Sequence, residues 1–291
     1  MNIEVRDLRL NYGSVTALDE VTFSLEGGKI YGLLGRNGSG KTSLLSVLAG
    51  FRRATSGTVL LDGQPVFENP RATREICLIR DNGEAIKLGN AEDAFTFAAW
   101  LRPQWDAALA DELMEYFGLD RKKPVKQMSK GQRSALGVVV GLASRAPVTI
   151  LDEAYLGMDA PTRQRFYDVL LEDYLAHPRT IILATHLIEE VSRLFEEVLI
   201  LDRGRLLLHE PADTLLSRGV TVVGPAERVD AFARGRTVLD SKQLGGTKSV
   251  TVYGALSEED RARARAEDLE LEPVTLQDLF IHLTAHTGGQ A

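Results

Sequence analysis

A glycine-rich segment at residues 35–42, with the sequence GRNGSGKT, carries the clearest chemical signal in this chain. It has the spacing of a phosphate-binding loop, in which a glycine is followed after four residues by Gly-Lys-Thr. Glycines allow successive backbone N–H groups to point inward at the oxygens of a di- or triphosphate. The lysine then reaches the terminal phosphates, and the threonine hydroxyl is a ligand for Mg²⁺. The predicted nucleotide-binding residues are Gly35, Arg36, Asn37, Gly38, Ser39, Gly40, Lys41, Thr42 and Ser43.

The segments on either side of this loop support the same interpretation. Apolar residues 30–34 predict a buried strand that runs into the loop, and residues 43–48 predict a helix that leaves it. The start of that helix adds a partial positive charge to the phosphate site. The alternative is a glycine-rich junction that binds nothing, and the Gly-Lys-Thr ending between a strand and a helix argues against it. The loop indicates a nucleotide and Mg²⁺ without indicating the class of NTPase.

Two carboxylates follow a second apolar strand. Residues 148–151, Val-Thr-Ile-Leu, are mostly apolar, and Asp152 and Glu153 come directly after them. A buried strand end is an expensive place for negative charge unless a cation lies there. Asp152 is suited to hold Mg²⁺ through its water shell, and Glu153 is suited to polarise an attacking water as a general base. The alternative is a solvated pair at a strand–loop boundary, which is less favoured beside a phosphate loop.

Three further residues are candidates for the same site. Ser129 can cap a helix over residues 129–143 and direct its free N–H groups at an anion, although a plain helix cap is the alternative. His186 follows the apolar strand at residues 180–184 and would face the ligand crevice at the carboxyl edge of a parallel sheet. A structural histidine is the alternative there. Tyr12 precedes the loop, where its ring can stack on a base, although a surface or core tyrosine is equally ordinary.

Composition and charge limit the classes of protein. The 291 residues suffice for one large and one small domain. A net charge of −7 argues against a protein that mainly grips nucleic acid, so no nucleic-acid partner is expected. Cys77 is the only cysteine, which excludes a disulfide framework and a cysteine zinc site. We find no signal peptide and no apolar stretch near the roughly 20 residues that cross a bilayer, which predicts a cytoplasmic protein.

The order of predicted elements indicates an α/β fold. Strands and helices alternate, which predicts a mostly parallel sheet covered by helices, with a β-rich lobe around the loop. Residues 90–145 predict a helical subdomain, and residues 187–195 predict a later helix. The pattern restarts near the C-terminus, which predicts domains at 1–215 and 216–291, the second a small α+β domain. Apolar residues at helical spacing indicate the helical subdomain: Phe95, Trp100, Leu101, Leu109, Leu113 and Phe117. The aromatic residues among them are predicted core residues, and a set of cofactor contacts is the alternative.

Together these motifs closely resemble the ATP-binding subunits of ABC transporters, over about residues 3–209 and in the family's order. The resemblance implies a P-loop NTPase with a RecA-like core, an antiparallel β subdomain and an α-helical signature subdomain. Residues 35–42 match the Walker A loop and residues 152–153 match Walker B with the catalytic glutamate. The remaining implied site residues are the adenine-stacking Tyr12, the signature residues Ser129, Gly131 and Gln132, the D-loop residue Asp159, and the switch histidine His186.

The chain departs from the family pattern at three places. Asp81 and Asn82 stand where a glutamine is expected after the apolar strand at residues 76–79, and either side chain can supply an oxygen to the metal in its place. Lys130 replaces the first signature glycine. Residues 154–156, Ala-Tyr-Leu, replace the usual Pro-Thr pair. With the short C-terminal domain, these variants resemble bacterial exporter subunits that work with separate permeases.

The resemblance also implies partners. ATP held by Lys41 and Thr42 of one subunit would be closed over by Ser129 and Gly131 of another, either a second copy or a homologous ATPase subunit. The pair would drive an integral membrane permease, with Mg²⁺ as cofactor, on the inner face of the cell membrane. Two alternatives stay open at this point. One is a soluble ABC ATPase that takes no part in transport, and the other is a nucleotide-sensing module with weak turnover.

Overall fold

The computed structural model describes residues 1–81 and 89–286. The chain forms two compact units, Met1–His209 and Glu210–Ala291. The division therefore lies before the predicted boundary between residues 215 and 216. That predicted boundary falls inside a helix at Ala212–Ser217, which packs on later elements of the second unit.

An antiparallel sheet forms the first part of the N-terminal unit, in the order β2-β1-β4-β5. Along β2 buried residues alternate with exposed ones, because one face of the sheet packs on the core and the other meets solvent. This sheet is the predicted antiparallel β subdomain. Its strands are β1 (Ile3–Tyr12), β2 (Val15–Leu25), β4 (Ser56–Leu61) and β5 (Gln64–Pro65).

A six-stranded sheet lies at the centre of the same unit, in the order β10-β9-β3-β8-β7-β6. The pairs β9-β3, β3-β8, β8-β7 and β7-β6 are parallel, and most of their residues are buried as apolar runs. Parallel strands bring their carboxyl ends to one edge, where the predicted site residues follow them. The strands are β3 (Ile30–Leu34), β6 (Ile76–Arg80), β7 (Val148–Asp152), β8 (Thr180–Thr185), β9 (Glu197–Asp202) and β10 (Arg205–Pro211).

One predicted helix of the first unit is shorter in the structure. The helix predicted over residues 187–195 is α-helical only over Ile188–Val191 and continues as a 3₁₀ turn at Ser192–Leu194. No side chain caps its start, and a short helix without a cap is marginal. The helices are α1 (Lys41–Leu48), α2 (Pro70–Arg74), α3 (Ala91–Leu101), α4 (Ala107–Tyr116), α5 (Lys130–Ala143), α6 (Ala160–Ala176) and α7 (Ile188–Val191), with a 3₁₀ helix at Val125–Gln127.

Helices α3, α4 and α5 form the predicted helical subdomain, but its predicted core is wrong in part. Phe95 and Leu113 are buried, whereas Trp100 is 81% exposed and Leu101 is 49% exposed. The buried stripe of α3 runs through Phe95 and Ala98, and Trp100 lies about 140° around the helix from Phe95. Trp100 therefore belongs to the outer face. Phe117, the third aromatic residue predicted to be in the core, is half-buried, as is Leu109.

The second unit is the predicted α+β domain. Its antiparallel sheet has the order β12-β13-β11-β14, and the chain order from β11 to β14 is β-α-β-β-α-β, a ferredoxin-like arrangement. Valine side chains of β11 and β13 pack with Phe232 in its core. Within residues 1–81 and 89–286, no helix has the length and apolar character to cross a bilayer. The elements are β11 (Gly219–Pro225), β12 (Thr237–Leu244), β13 (Thr247–Tyr253), β14 (Glu270–Pro273), α8 (Ala212–Ser217), α9 (Ala226–Ala233), α10 (Glu258–Ala266) and α11 (Leu276–His286).

Candidate active site

The loop between β3 and α1 has a backbone that only glycine accommodates at two positions. Gly40 precedes α1 with a φ of +105°, in the left-handed region that favours glycine. A Cβ atom there would lie 2.7 Å from the carbonyl oxygen of Ala17, and one on Gly35 would lie 2.3 Å from Ser39 Oγ. The glycines of the motif therefore permit the tight path that turns backbone N–H groups toward a phosphate.

Lys41 is the first residue of α1, and its side chain turns back into this loop. Its Nζ donates hydrogen bonds to the carbonyl oxygens of Gly35 at 2.6 Å and Arg36 at 3.3 Å, and the residue is only 6% exposed. Burial lowers the pKa of the ammonium group, and the carboxylates of Glu153 and Asp152 act in the opposite direction. The lysine is thus held between the loop and the acidic strand end, where it can meet a phosphate.

A cavity of about 500 Å³ joins the loop to Glu153. It is lined by Val15, Thr16 and Ala17, by residues 37–43 and by Glu153. Sequence reasoning missed Val15 and Thr16. A signal was present, because the Gly-Ser pair after Tyr12 predicts a tight hairpin, and Tyr12 does pair with Val15 in the register of β1 and β2. The structure therefore brings the hairpin, the phosphate loop and one predicted catalytic residue together.

A larger cavity of about 1110 Å³ lies elsewhere in the same unit. It is lined by residues at the amino ends of strands, among them Gly28 before β3, Pro147 before β7 and Thr180 at the start of β8. Ligands of open parallel sheets bind outside the carboxyl ends of the strands. We therefore take the smaller cavity as the candidate active site.

The Asp152 carboxylate is buried at the end of β7. It is 5% exposed, and burial raises its pKa. The Thr42 hydroxyl donates a hydrogen bond to it, which lowers that pKa, as do the charges of Arg80 and Lys41. A hydroxyl and a carboxylate in contact are the oxygen donors that Mg²⁺ takes when phosphate and water complete its shell. Within residues 1–81 and 89–286, no cluster of three or more His, Cys, Asp or Glu residues could hold a metal alone.

Glu153 and His186, the two predicted catalytic residues, lie in contact. The Nδ1 atom of His186 is 3.0 Å from Oε1 of Glu153. The backbone N–H of Glu153 donates to the carbonyl oxygen of Ala184 at 3.1 Å, and Glu153 has a φ of +52°, in the left-handed region. Both side chains are partly exposed, at 23% and 46%, so water reaches them. This arrangement can hold and polarise a water molecule.

The signature residues form a capping box at the start of α5. Ser129 Oγ accepts a hydrogen bond from the backbone N–H of Gln132 at 3.1 Å, and the Gln132 side chain accepts one from the N–H of Ser129 at 3.1 Å. A Cβ atom on Gly131 would lie 2.9 Å from the carbonyl oxygen of Gly157, so residues 157–159, the predicted D-loop, pass close to this helix. Ser129, Gly131 and Gln132 are all described, and none of them lines the phosphate-loop cavity.

Tyr12 and Asp159 occupy defined positions outside the cavity lining. Tyr12 is 41% exposed, its hydroxyl is 3.4 Å from Ser43 Oγ, and the Arg52 guanidinium lies 4.6 Å from its ring centroid. Sequence reasoning missed Arg52, because no spacing links it to Tyr12. Asp159 caps α6 by accepting from the N–H of Thr162 at 2.9 Å, and hydrogen bonds from Thr162 lower its pKa.

Asp81, the predicted third metal ligand, follows β6 beside the acidic strand end. Its backbone N–H donates to the carbonyl oxygen of Asp152 at 2.9 Å, and its Oδ2 lies 3.1 Å from Lys130 Nζ. Its Oδ1 is buried and has no hydrogen-bond partner among the described residues. Asn82, the other residue in the glutamine position, lies outside the described residues. The metal-ligand role of Asp81 stays a prediction.

Comparisons with known proteins agree with this geometry. The model of the ABC transporter family matches residues 18–156. The taurine import ATP-binding protein TauB of Shigella flexneri is 30% identical over 207 residues, 69% of this chain and 80% of that protein. The Nod factor export ATP-binding protein I of Burkholderia lata is 26% identical over 308 residues, 97% of this chain and 96% of that protein. The dimeric structure of the ATP-binding cassette MJ0796 in a post-hydrolysis state with ADP and Pi has a TM-score of 0.65 at 19% identity, covering 72% of this chain and 98% of that chain.

Fold and site together define a phosphate-loop ATPase cassette, with a parallel core sheet, an antiparallel β subdomain and a helical subdomain. The predicted Walker A loop, the acidic strand end and the predicted signature helix all lie on elements of the first unit. The chain belongs to the ABC transporter family, as one of its ATP-binding subunits, and it is an ATPase.

Proposed function

We propose that this chain energises an exporter by hydrolysing ATP beside a separate membrane permease. The observation that carries the proposal is the cavity that joins the phosphate loop to Glu153. The proposal of export rather than import is based on how much of this chain aligns with each relative. The alignment with the Nod factor export subunit extends over 97% of this chain and so includes both units, whereas the alignment with the taurine import subunit covers 69% of the chain.

Each residue of the site has a role in this proposal. Lys41 and the loop N–H groups bind the phosphates, while Tyr12 stacks on the adenine. Thr42 and Asp152 hold Mg²⁺, which supplies positive charge to the phosphate oxygens when it is bound. Glu153 takes a proton from the attacking water, and His186 orients Glu153 and contacts the terminal phosphate.

The proposed active form is a dimer that sandwiches ATP. Ser129 is exposed at the start of α5 and lies outside the cavity of its own chain, so the signature can serve the nucleotide of a partner. A helix start and a serine hydroxyl neutralise charge on a terminal phosphate. The dimeric form of the similar cassette supports this arrangement. The partner is a second copy or a homologous ATPase subunit.

Transport follows if nucleotide binding closes the dimer and hydrolysis opens it. The two states bind the permease differently, so the nucleotide shifts the permease between its own conformations. The chain then works at the inner face of the membrane, held there by the permease.

The test begins with phosphate release by the purified chain, with and without Mg²⁺. The tagged chain is next purified from detergent-solubilised membranes, and an associated permease is reconstituted with it in vesicles to follow the direction of transport. We expect Mg²⁺-dependent turnover and a permease that exports its substrate. ATP binding without phosphate release would favour a nucleotide sensor, and turnover with soluble partners alone would favour a soluble ABC ATPase.

A further inference from the structure

Two of the residues that depart from the family pattern are paired with each other. Lys130 takes the place of the first signature glycine, Asp81 stands in the glutamine position, and Lys130 Nζ lies 3.1 Å from Asp81 Oδ2. They are 49 residues apart in the chain. Lys130 begins α5 of the helical subdomain, and Asp81 follows β6 of the core sheet. The ion pair therefore joins the helical subdomain to the core.

Both residues also contact segments of the candidate site. A Cβ atom on Gly157 would lie 2.9 Å from Lys130 Cγ, so the D-loop lies against the aliphatic stem of this lysine. The backbone of Asp81 donates to the carbonyl oxygen of Asp152, the residue before Glu153. The pair thus connects the start of the signature helix, the D-loop and the acidic strand end within one chain.

The two partners are unequally exposed. The side chain of Lys130 is 49% exposed and that of Asp81 is 28% exposed, and Oδ1 of Asp81 is buried with no hydrogen-bond partner in the described chain. If Lys130 loses its partner, its ammonium group can be solvated by water. A carboxylate that loses its lysine keeps a partly buried charge with one oxygen unsatisfied, which is the more costly outcome.

We infer that Lys130 and Asp81 are a compensating pair of positioning residues, whose contact holds the start of α5, and with it Ser129, in register with the core. Neither residue has a role in contacting ATP, and both act through Ser129 and the D-loop. The inference rests on the proposed function, in which Ser129 serves the nucleotide of a partner. It explains why two departures from the pattern occur together in one chain.

The experiment compares Lys130→Gly, Asp81→Gln and the double variant that restores both family residues. The measurements are kcat and KM for ATP, with the affinity of the chain for a fluorescent ATP analogue. We expect Lys130→Gly to lower kcat about fivefold and Asp81→Gln about twofold, the range of a partly exposed ion pair. The double variant is expected within about twofold of the original chain, because restoring both residues removes the mismatch. Affinity for the analogue stays unchanged, since ATP binds at Lys41.

A matched control is Lys126→Gly, which removes an exposed lysine from the preceding 3₁₀ helix and should leave kcat unchanged.

If Lys130→Gly does not fold, the double variant Lys130→Asp with Asp81→Lys, which exchanges the two charges, is used in its place. It should recover the activity that either single substitution loses. If the fold-losses in kcat of the two single variants multiply in the double variant, the two residues act independently and the inference is overturned. Rescue of Asp81→Gln by excess Mg²⁺ would also overturn it, in favour of a metal ligand. An original chain that releases no phosphate would instead overturn the proposed function.

Discussion

The two halves of the proposed ATP site differ in how much of each is buried. In the phosphate-loop half, Lys41 and Asp152 are 6% and 5% exposed, and they are bound by hydrogen bonds within the same unit. In the signature half, Ser129 is exposed and the Lys130 side chain is about half exposed. The charged groups of the first half are already buried and hydrogen-bonded within one chain. The second half is a capped helix start that is exposed to solvent.

This difference separates binding from hydrolysis. A preorganised, desolvated half binds phosphate strongly by itself, because its charges and N–H groups need no rearrangement. An exposed helix start gains strength only when another surface excludes water from it. We therefore expect ATP affinity to be a property of one chain and rapid hydrolysis to be a property of two. The following substitutions test this separation.

Glu153→Gln should have the largest effect. We expect turnover to fall by about 10²–10⁴-fold, the usual contribution of a general base, with ATP affinity retained because the amide keeps the size of the side chain. Single-turnover phosphate release and analogue binding measure the two properties. The exposed Glu172→Gln on α6 is the control and should behave like the original chain. Normal turnover in Glu153→Gln would remove this residue from catalysis.

Lys41→Ala should damage the buried half. We expect ATP affinity to fall by about 100-fold, since about 3 kcal/mol is a reasonable value for a buried charge-assisted contact to phosphate. Titration calorimetry with ATP and Mg²⁺ measures the change, and Lys122→Ala, an exposed lysine of the helical subdomain, is the control. Unchanged affinity would contradict the assignment of the phosphate loop.

Ser129→Ala should damage the exposed half. Loss of the cap is expected to cost about 1 kcal/mol of the free energy of unfolding. In a Glu153→Gln background it should also prevent dimerisation driven by ATP, measured by light scattering, while analogue binding persists. Ser257→Ala is the matched control, because Ser257 forms the same capping box on α10 in the second unit. A dimer that forms equally well in both variants would refute the sandwich.

Trp100→Ala should have the smallest effect on the isolated chain. Trp100 is 81% exposed, so we expect the free energy of unfolding to change by less than about 0.5 kcal/mol. The contrast is Phe95→Ala on the buried stripe of α3, which should cost about 3–5 kcal/mol. Urea unfolding of both variants measures the difference. Equal losses would show that the outer face of α3 is covered in solution.

The phosphate loop, the acidic strand end and the Ser129 cap were predictable because each is set by residues a few positions apart. Asp152 and Glu153 come together with Lys41 because parallel strands end at one edge, which the alternation of elements already implied. The burial of Trp100 was predicted wrongly, because an apolar residue on an amphipathic helix is not required to be buried.

Contacts between side chains far apart in sequence were beyond prediction. Arg52 meets the ring of Tyr12, and Lys130 meets Asp81, through folds of the backbone that no local spacing encodes. The first unit ends at His209, before the predicted boundary at residue 215, because Pro211 is followed by a helix that packs with the second unit and leaves no polar linker. The residues of each local motif could therefore be predicted from the sequence, whereas their contacts with residues far away in the chain could not.

The backbone of Glu153 has a consequence for evolution of this chain. A residue other than glycine at a φ of +52° stores about 1–2 kcal/mol of conformational strain, which asparagine or glycine would relieve. Variants with asparagine or glycine at position 153 would be more stable to heat, but they would lack the carboxylate that accepts the proton. Screening variants for thermal robustness alone would thus enrich inert copies, so any engineering effort on this ATPase must select for catalysis at the same time.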